Sequence, residues 1–146
     1  MFEYRTRRVV EFADTDMAGI IHFSRYYVFM ERAEHEFWNA LGTSVHTEVD
    51  GVAIGWPRLE ASCRFLRPVR FEDVLDIHLQ VVRKGGRSLT FEIDFWCRGE
   101  RVAQGRLATC CCALTPGEPP RAVPIPAVLA ERIEERPTAG DAPYPQ

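Results

Sequence analysis

The chain has 146 residues, 46% of them apolar and 27% charged, with a formal net charge of −3. That length suits one domain, able to bury roughly two-thirds of the surface its unfolded form exposes. The small negative balance supplies no field that would gather nucleic acid or anionic lipid, so any anionic ligand needs a local cluster of cations.

From Met1 to Arg8 there is no apolar run of signal-peptide character. No later stretch approaches the roughly 18 apolar residues of a membrane helix. The five cysteines, Cys63, Cys97, Cys110, Cys111 and Cys112, lack CxxC spacing, and three are consecutive. Consecutive residues on a strand point to opposite faces, so they do not form a disulfide framework. The expectation is a cytoplasmic protein with reduced thiols, without nucleic-acid or membrane partners.

In chain order, residues 3–12 read as a first strand, with Tyr4, Thr6, Val10 and Phe12 on one face. Residues 14–23 read as a loop containing Gly19. A helix is predicted from an N-cap at Ser24 to Leu41, with Gly42 just past its end. Its apolar positions Tyr27, Met30, Ala33, Phe37, Trp38 and Leu41 follow a 3.6-residue period, and Glu31, Arg32, Glu34, His35 and Glu36 fall on the wet side. After a loop near 43–52 the period becomes two. Leu59, Ala61, Cys63 and Phe65, then Leu75, Ile77, Leu79 and Val81, then Leu89, Phe91, Ile93, Phe95 and Cys97 alternate with polar neighbours. Turn-like joints at 84–87 and 98–101 make these antiparallel hairpins. A last strand near 101–115 is apolar on both faces, as a covered central strand would be. A proline-rich stretch follows, with a short helix near 127–135 and a disordered tail at 137–146. This is an α+β layout in a single domain spanning 1–136. One helix covers only part of a five-stranded sheet, so the remaining apolar surface predicts an oligomer.

Function is concentrated in the segment from Glu11 to Ser24, which leaves a strand, turns through Gly19 and enters the helix. Such a turn offers unpaired backbone N–H groups at a partly positive helix terminus, and a carboxylate just upstream can face them across a gap. Thioester cleavage needs that pair: donors for the developing oxyanion, and a base or nucleophile.

Asp14-Thr15-Asp16-x-x-Gly19-Ile20-Ile21, then Tyr26 and Glu31-x-Ala33-x-x-Glu36-Phe37, resembles the 4-hydroxybenzoyl-CoA thioesterase family and the acyl-CoA thioesterases found beside bacterial Tol–Pal genes. The resemblance runs through Phe65 to Asp73 to the last strand, about residues 5–115. It implies a hotdog fold, with a long central helix wrapped by a curved antiparallel five-stranded sheet, paired into homodimers or homotetramers. It assigns the catalytic carboxylate to Asp16 and the carbonyl-polarising backbone amide to the neighbourhood of Phe23, with Gly19 in the motif's turn. Many relatives carry Tyr-His or Trp-Tyr in place of His22-Phe23, and Asn in place of Arg25. A main-chain donor survives such changes, whereas the acyl pocket is altered by them.

Each candidate also has a plainer role. Asp16 can cap a turn, as loop aspartates do, and Asp14 can bind loop amides and hold Asp16 in place. His22 is either a second acid–base group or a structural residue at the helix entrance. Lys84, Arg87 and Ser88, with Arg83, are either a patch for coenzyme A phosphates or a solvated turn. Asp14, Asp16 and His22 are too few oxygen ligands for a hard metal, and no metal or separate cofactor is expected; coenzyme A enters as part of the substrate. There is no G-x-S-x-G elbow. The leading function is therefore hydrolysis of a small aromatic or short to medium aliphatic acyl-CoA. The alternatives are a non-catalytic acyl-CoA-binding hotdog module and an enoyl-thioester hydratase or dehydratase.

Overall fold

A computed structural model describes residues 1–138, and α1 (Phe23–Ala40) organises it. Tyr26, Phe29, Met30, Ala33, Phe37 and Trp38 recur at three- and four-residue spacing, and all are buried. Removing each of the larger ones from water contributes roughly 1.5–3 kcal/mol. The helix stops at a left-handed Gly42 (φ 82°), where Gly42 N–H reaches Asn39 O and Thr43 N–H reaches Trp38 O. These are the two bonds of a Schellman cap. Its start is two residues earlier than the sequence suggests, with His22 rather than Ser24 as N-cap.

The helix lies on a five-stranded antiparallel sheet formed by β1 (Glu3–Val9), β4 (Arg58–Phe65), β5 (Val74–Lys84), β6 (Ser88–Cys97) and β7 (Glu100–Cys110), in the order β1-β5-β6-β7-β4. Leu75, Ile77, Leu79 and Val81 of β5 and Leu89, Phe91, Ile93, Phe95 and Cys97 of β6 face the helix, as their period-two pattern requires. This is the hotdog fold. The layers approach closely at Gly105, where an added Cβ would lie 1.9 Å from Met30 Sδ. Glu34 departs from its expected place: it is fully buried, with Arg58 Nη1 2.6 Å from its Oε2.

Other elements differ in detail. β1 ends at Val9, because Val10 turns to Asp73 O and a 3₁₀ turn (Phe12–Asp14) follows, leaving Phe12 78% exposed. The loop expected near 43–52 contains a hairpin of β2 (Thr47–Val49) and β3 (Val52–Gly55), turning through Asp50 (φ 51°) and Gly51 (φ 76°). The last strand divides at Cys111: β7 stays between β6 and β4, while β8 (Cys112–Ala113) joins β2, β3 and β9 (Arg121–Ala122) in a second sheet. The late helix α2 is only Ala127–Ala130. Of the expected tail, residues 139–146 lie outside the described part.

Candidate active site

The loop between β1 and α1 is a miniature hairpin. Thr15 bridges Ile21, Asp16 N–H donates to Ile20 O, and Gly19 N–H closes back onto Asp16 O. Gly19 takes φ 77°, a conformation that costs glycine little. Ile21 N–H donates to Val69 O, anchoring the loop to the segment after β4.

Asp14 and Asp16 point opposite ways. Asp14 is 4% exposed, and its carboxylate accepts from Glu11 N–H and from Arg25 Nε, each at 2.8 Å. Its carbonyl accepts from His22 N–H. Asp16 is exposed and uses one oxygen, Oδ1, to accept from Ala18 N–H at 2.8 Å. It therefore does cap a turn, with one of its two carboxylate oxygens.

At the start of α1 the amides are nearly all spoken for. Ser24 N–H donates to His22 Nδ1 and Arg25 N–H to His22 O. Phe23 N–H has no acceptor among the described residues. His22 thus does structural work: its ring caps the helix and packs on Phe23 with centroids 4.6 Å apart.

Asp16 and Phe23 line one cavity of about 400 Å³, with Ile20, Ile21, Tyr26, Phe65, Leu66, Arg67, Pro68 and Val69 completing its wall. The Asp16 carboxyl group and one unpaired main-chain donor thus share a half-open cavity whose wall, Arg67 apart, is otherwise largely apolar. The donor belongs to an 18-residue helix, so the helix dipole adds partial positive charge at the same point. Tyr26 packs between Phe65 and Phe95, and burial, then the neighbouring Cys63 and Cys97, raise its phenol well above the ordinary value. It stays neutral.

Comparison with known proteins gives this arrangement its context. Residues 18–104 match the model of the thioesterase superfamily. The chain belongs to that superfamily. It is 28% identical over 131 residues to a 1,4-dihydroxy-2-naphthoyl-CoA hydrolase of Thermosynechococcus vestitus, covering 88% of this chain and 90% of that one. A Synechococcus elongatus protein of the same name is 30% identical over 96 residues, 65% of this chain and 69% of its own. A solved gentisyl-coenzyme A thioesterase is 27% identical with a TM-score of 0.74, over 87% of this chain and 99% of that one. The chain is a thioester hydrolase.

Elsewhere the thioesterase fold separates residues that the sequence grouped with the site. Lys84 Nζ is taken by Ala130 O at 2.6 Å and Ile133 O at 2.8 Å, so the ammonium holds the C-terminal segment rather than standing free. Arg87 is exposed and Ser88 half-buried. This turn lies in the row Lys84–Leu89–Thr109–Arg58, whereas the cavity lies near Phe95–Ala103–Phe65. Those rows are six residues apart on β6, or about 20 Å. Arg67, Tyr26 and Phe65 line the cavity without having been grouped with the site. All five cysteines are free thiols, and burial pushes Cys63 and Cys111 up to about 11, where they are poor nucleophiles. Among the described residues, no three His, Cys, Asp or Glu side chains are placed to hold a metal ion.

Proposed function

We propose that this thioesterase hydrolyses a small acyl-CoA, with an aromatic or a short to medium aliphatic acyl group, using Asp16 as base or nucleophile and Phe23 N–H as oxyanion donor. The observation that carries this is the shared cavity: a carboxylate with one oxygen unengaged faces the same space as the one unpaired amide at the start of α1. In the base route, the unengaged oxygen of Asp16 takes a proton from water as the water oxygen adds to the thioester carbon. In the nucleophilic route, that oxygen adds directly, giving an acyl anhydride that water then opens. In both, the carbonyl electrons move onto oxygen beside Phe23 N–H, and their return breaks the C–S bond and expels coenzyme A as thiolate. A positioned base contributes typically 10²–10⁴-fold, and one oxyanion donor about 10²–10³-fold. The relatives named for aryl-CoA substrates and the cavity's aromatic wall of Phe23, Tyr26 and Phe65 support an aryl group.

We further propose a cytoplasmic homodimer, or a tetramer of such dimers, joined along β4. That strand is a sheet edge, and Leu59, Phe65 and the adjoining Leu66 are 65%, 51% and 45% exposed. Antiparallel pairing of two β4 edges reverses the second chain end for end. Its 84–88 turn then comes to this chain's cavity end, about 15–20 Å from the edge at one strand spacing per step. On this reading Arg87 and Ser88 serve the phosphates of coenzyme A bound in the other chain's cavity, while Lys84 shapes the turn.

The test is a thiol-release assay over aryl and aliphatic acyl-CoA thioesters, comparing the parent with Asp16→Ala. A loss of at least about 100-fold in kcat with unchanged circular dichroism is expected. Equal turnover by the variant would overturn the role of Asp16, and a parent inert to the whole panel would overturn the acyl-CoA assignment.

A further inference from the structure

Arg25 plays no part in the chemistry proposed above, yet its ion pair with Asp14 ties the catalytic loop to the first turn of α1, beside the His22 ring that binds Ser24. Its Nε donates to Asp14 Oδ1 at 2.8 Å, and its own side chain is 38% exposed against 5% for Asp14. Asp14 occupies the centre of a small network. One carboxylate oxygen holds Glu11 N–H at the end of β1, the other holds Arg25, and its carbonyl holds His22 N–H. Every acceptor group of this buried residue is thus committed, as a buried carboxylate requires.

The position of the tie is what gives it consequence. Asp14 is two residues before Asp16, and Arg25 is two residues after Phe23. The pair therefore spans the reactive gap from behind, joining the backbone that carries the carboxylate to the backbone that carries the oxyanion donor. Without it, the gap would be held by the hairpin 15–21 and by His22 N–H to Asp14 O, which fix the loop's own path. Neither constrains a side chain of the first helical turn, and the His22 ring, which does bind Ser24, has no bond to Asp14 or Asp16. Asp14 and Asp16, two apart in sequence, turn opposite ways here, so anchoring Asp14 inward also sets the direction in which Asp16 is presented.

The geometry points to Arg25 as a positioning residue: its guanidinium, bound to Asp14, fixes the separation between the Asp16 carboxylate and the Phe23 amide. This rests on the hydrolytic reading above and adds a residue to it. A planar guanidinium donating through Nε has a defined direction, which an ammonium lacks. Loss of the tie leaves binding of the thioester largely intact, because Arg25 does not line the cavity. It loosens the gap in which the transition state forms, and misplacement by about 1 Å is worth on the order of 10²-fold in rate.

The experiment compares parent, Arg25→Ala, Arg25→Lys and Asp16→Ala on 4-hydroxybenzoyl-CoA, or on the acyl-CoA of the panel that the parent cleaves fastest. Arg25→Ala is expected to lose about 10–100-fold in kcat, with KM within about threefold of the parent. Arg25→Lys should fall between them. Guanidinium chloride at about 10–50 mM, far below denaturing concentration, should restore part of the kcat of Arg25→Ala and none of that of Asp16→Ala. A merely structural contribution would lower thermal stability without a kcat-selective loss and without rescue, and that result overturns the inference. So does parental kcat in Arg25→Ala. If Asp16→Ala turns over as fast as the parent, the role proposed for Asp16 itself fails, a result distinct from an active Arg25→Ala beside an inactive Asp16→Ala.

Discussion

Proline at position 23 tests the oxyanion donor directly. Phe23 is the first residue of α1, and its N–H is the one that no described group accepts. Proline is favoured at that helical position because the missing N–H would make no intrahelical bond, and its fixed φ is already helical. The residue before a proline is confined to extended conformations, and His22 already has φ −66° and ψ 135°. Phe23→Pro should therefore fold, keep the His22 cap on Ser24, and delete a single main-chain hydrogen. Loss of one oxyanion donor raises the barrier by about 2.7–4 kcal/mol, or about 10²–10³ in kcat. The ring is lost as well, so Phe23→Ala is the reference: it keeps the amide and removes a side chain that is 58% exposed. Steady-state hydrolysis with both variants, with circular dichroism to confirm the helix, yields the ratio attributable to the N–H. If Phe23→Pro turns over as fast as Phe23→Ala while remaining folded, the oxyanion is stabilised elsewhere and the reasoning from the unpaired amide is wrong.

Arg58→Met should expose the cost of burying Glu34. Burial raises this carboxyl above the ordinary range, with the Arg58 guanidinium opposing. A raised acid binds its proton more tightly folded than unfolded, so its contribution is full below the ordinary carboxylate range and is lost as pH rises through the raised native value. Without Arg58 that value climbs further. The variant should lose about 3–5 kcal/mol at pH 8 and much less near pH 5, measured by urea unfolding at fixed protein concentration. An equal loss at both pH values would contradict this. Gly105→Ala should cost about 1–3 kcal/mol, because an added Cβ would lie 1.9 Å from the sulfur of a fully buried Met30, which must shift within a packed core. In a Met30→Ala background the same glycine substitution should cost less, as a double-mutant cycle in the same unfolding assay would read. Lys84→Met removes two charge-assisted bonds to Ala130 O and Ile133 O, so thermolysin should cut the segment around α2 sooner than in the parent.

Sequence legibility followed the range of the forces involved. The helix and the four long strands were readable because their periods are local and sustained, and Gly19 announced its own backbone conformation. The N-cap was displaced by two residues because a histidine nitrogen does the work, while Ser24 Oγ turns to that same ring at 2.7 Å. The β2–β3 hairpin carries a strong signal, Asp50-Gly51 with both φ positive, but strands of three and four residues have too little alternation to announce themselves. Glu34 and Lys84 were misplaced for a different reason. Each is defined by a partner distant in sequence, Arg58 in one case and carbonyls 46 and 49 residues away in the other. Asp16 and Phe23 were legible as a motif; the cavity that joins them needed the segment 65–69, which belongs to the resemblance but whose place beside the loop is set by contacts distant in sequence.

Because the proposed oxyanion donor at the head of α1 is peptide rather than side chain, the identity of residue 23 is on that reading decoupled from the bond-breaking step. A lineage can replace the phenyl ring with an imidazole, a phenol or an aliphatic group, reshaping what the enclosure admits while leaving the hydrogen that steadies negative charge where it was. Selectivity in this scaffold can drift, or be engineered, at the position nearest the reaction.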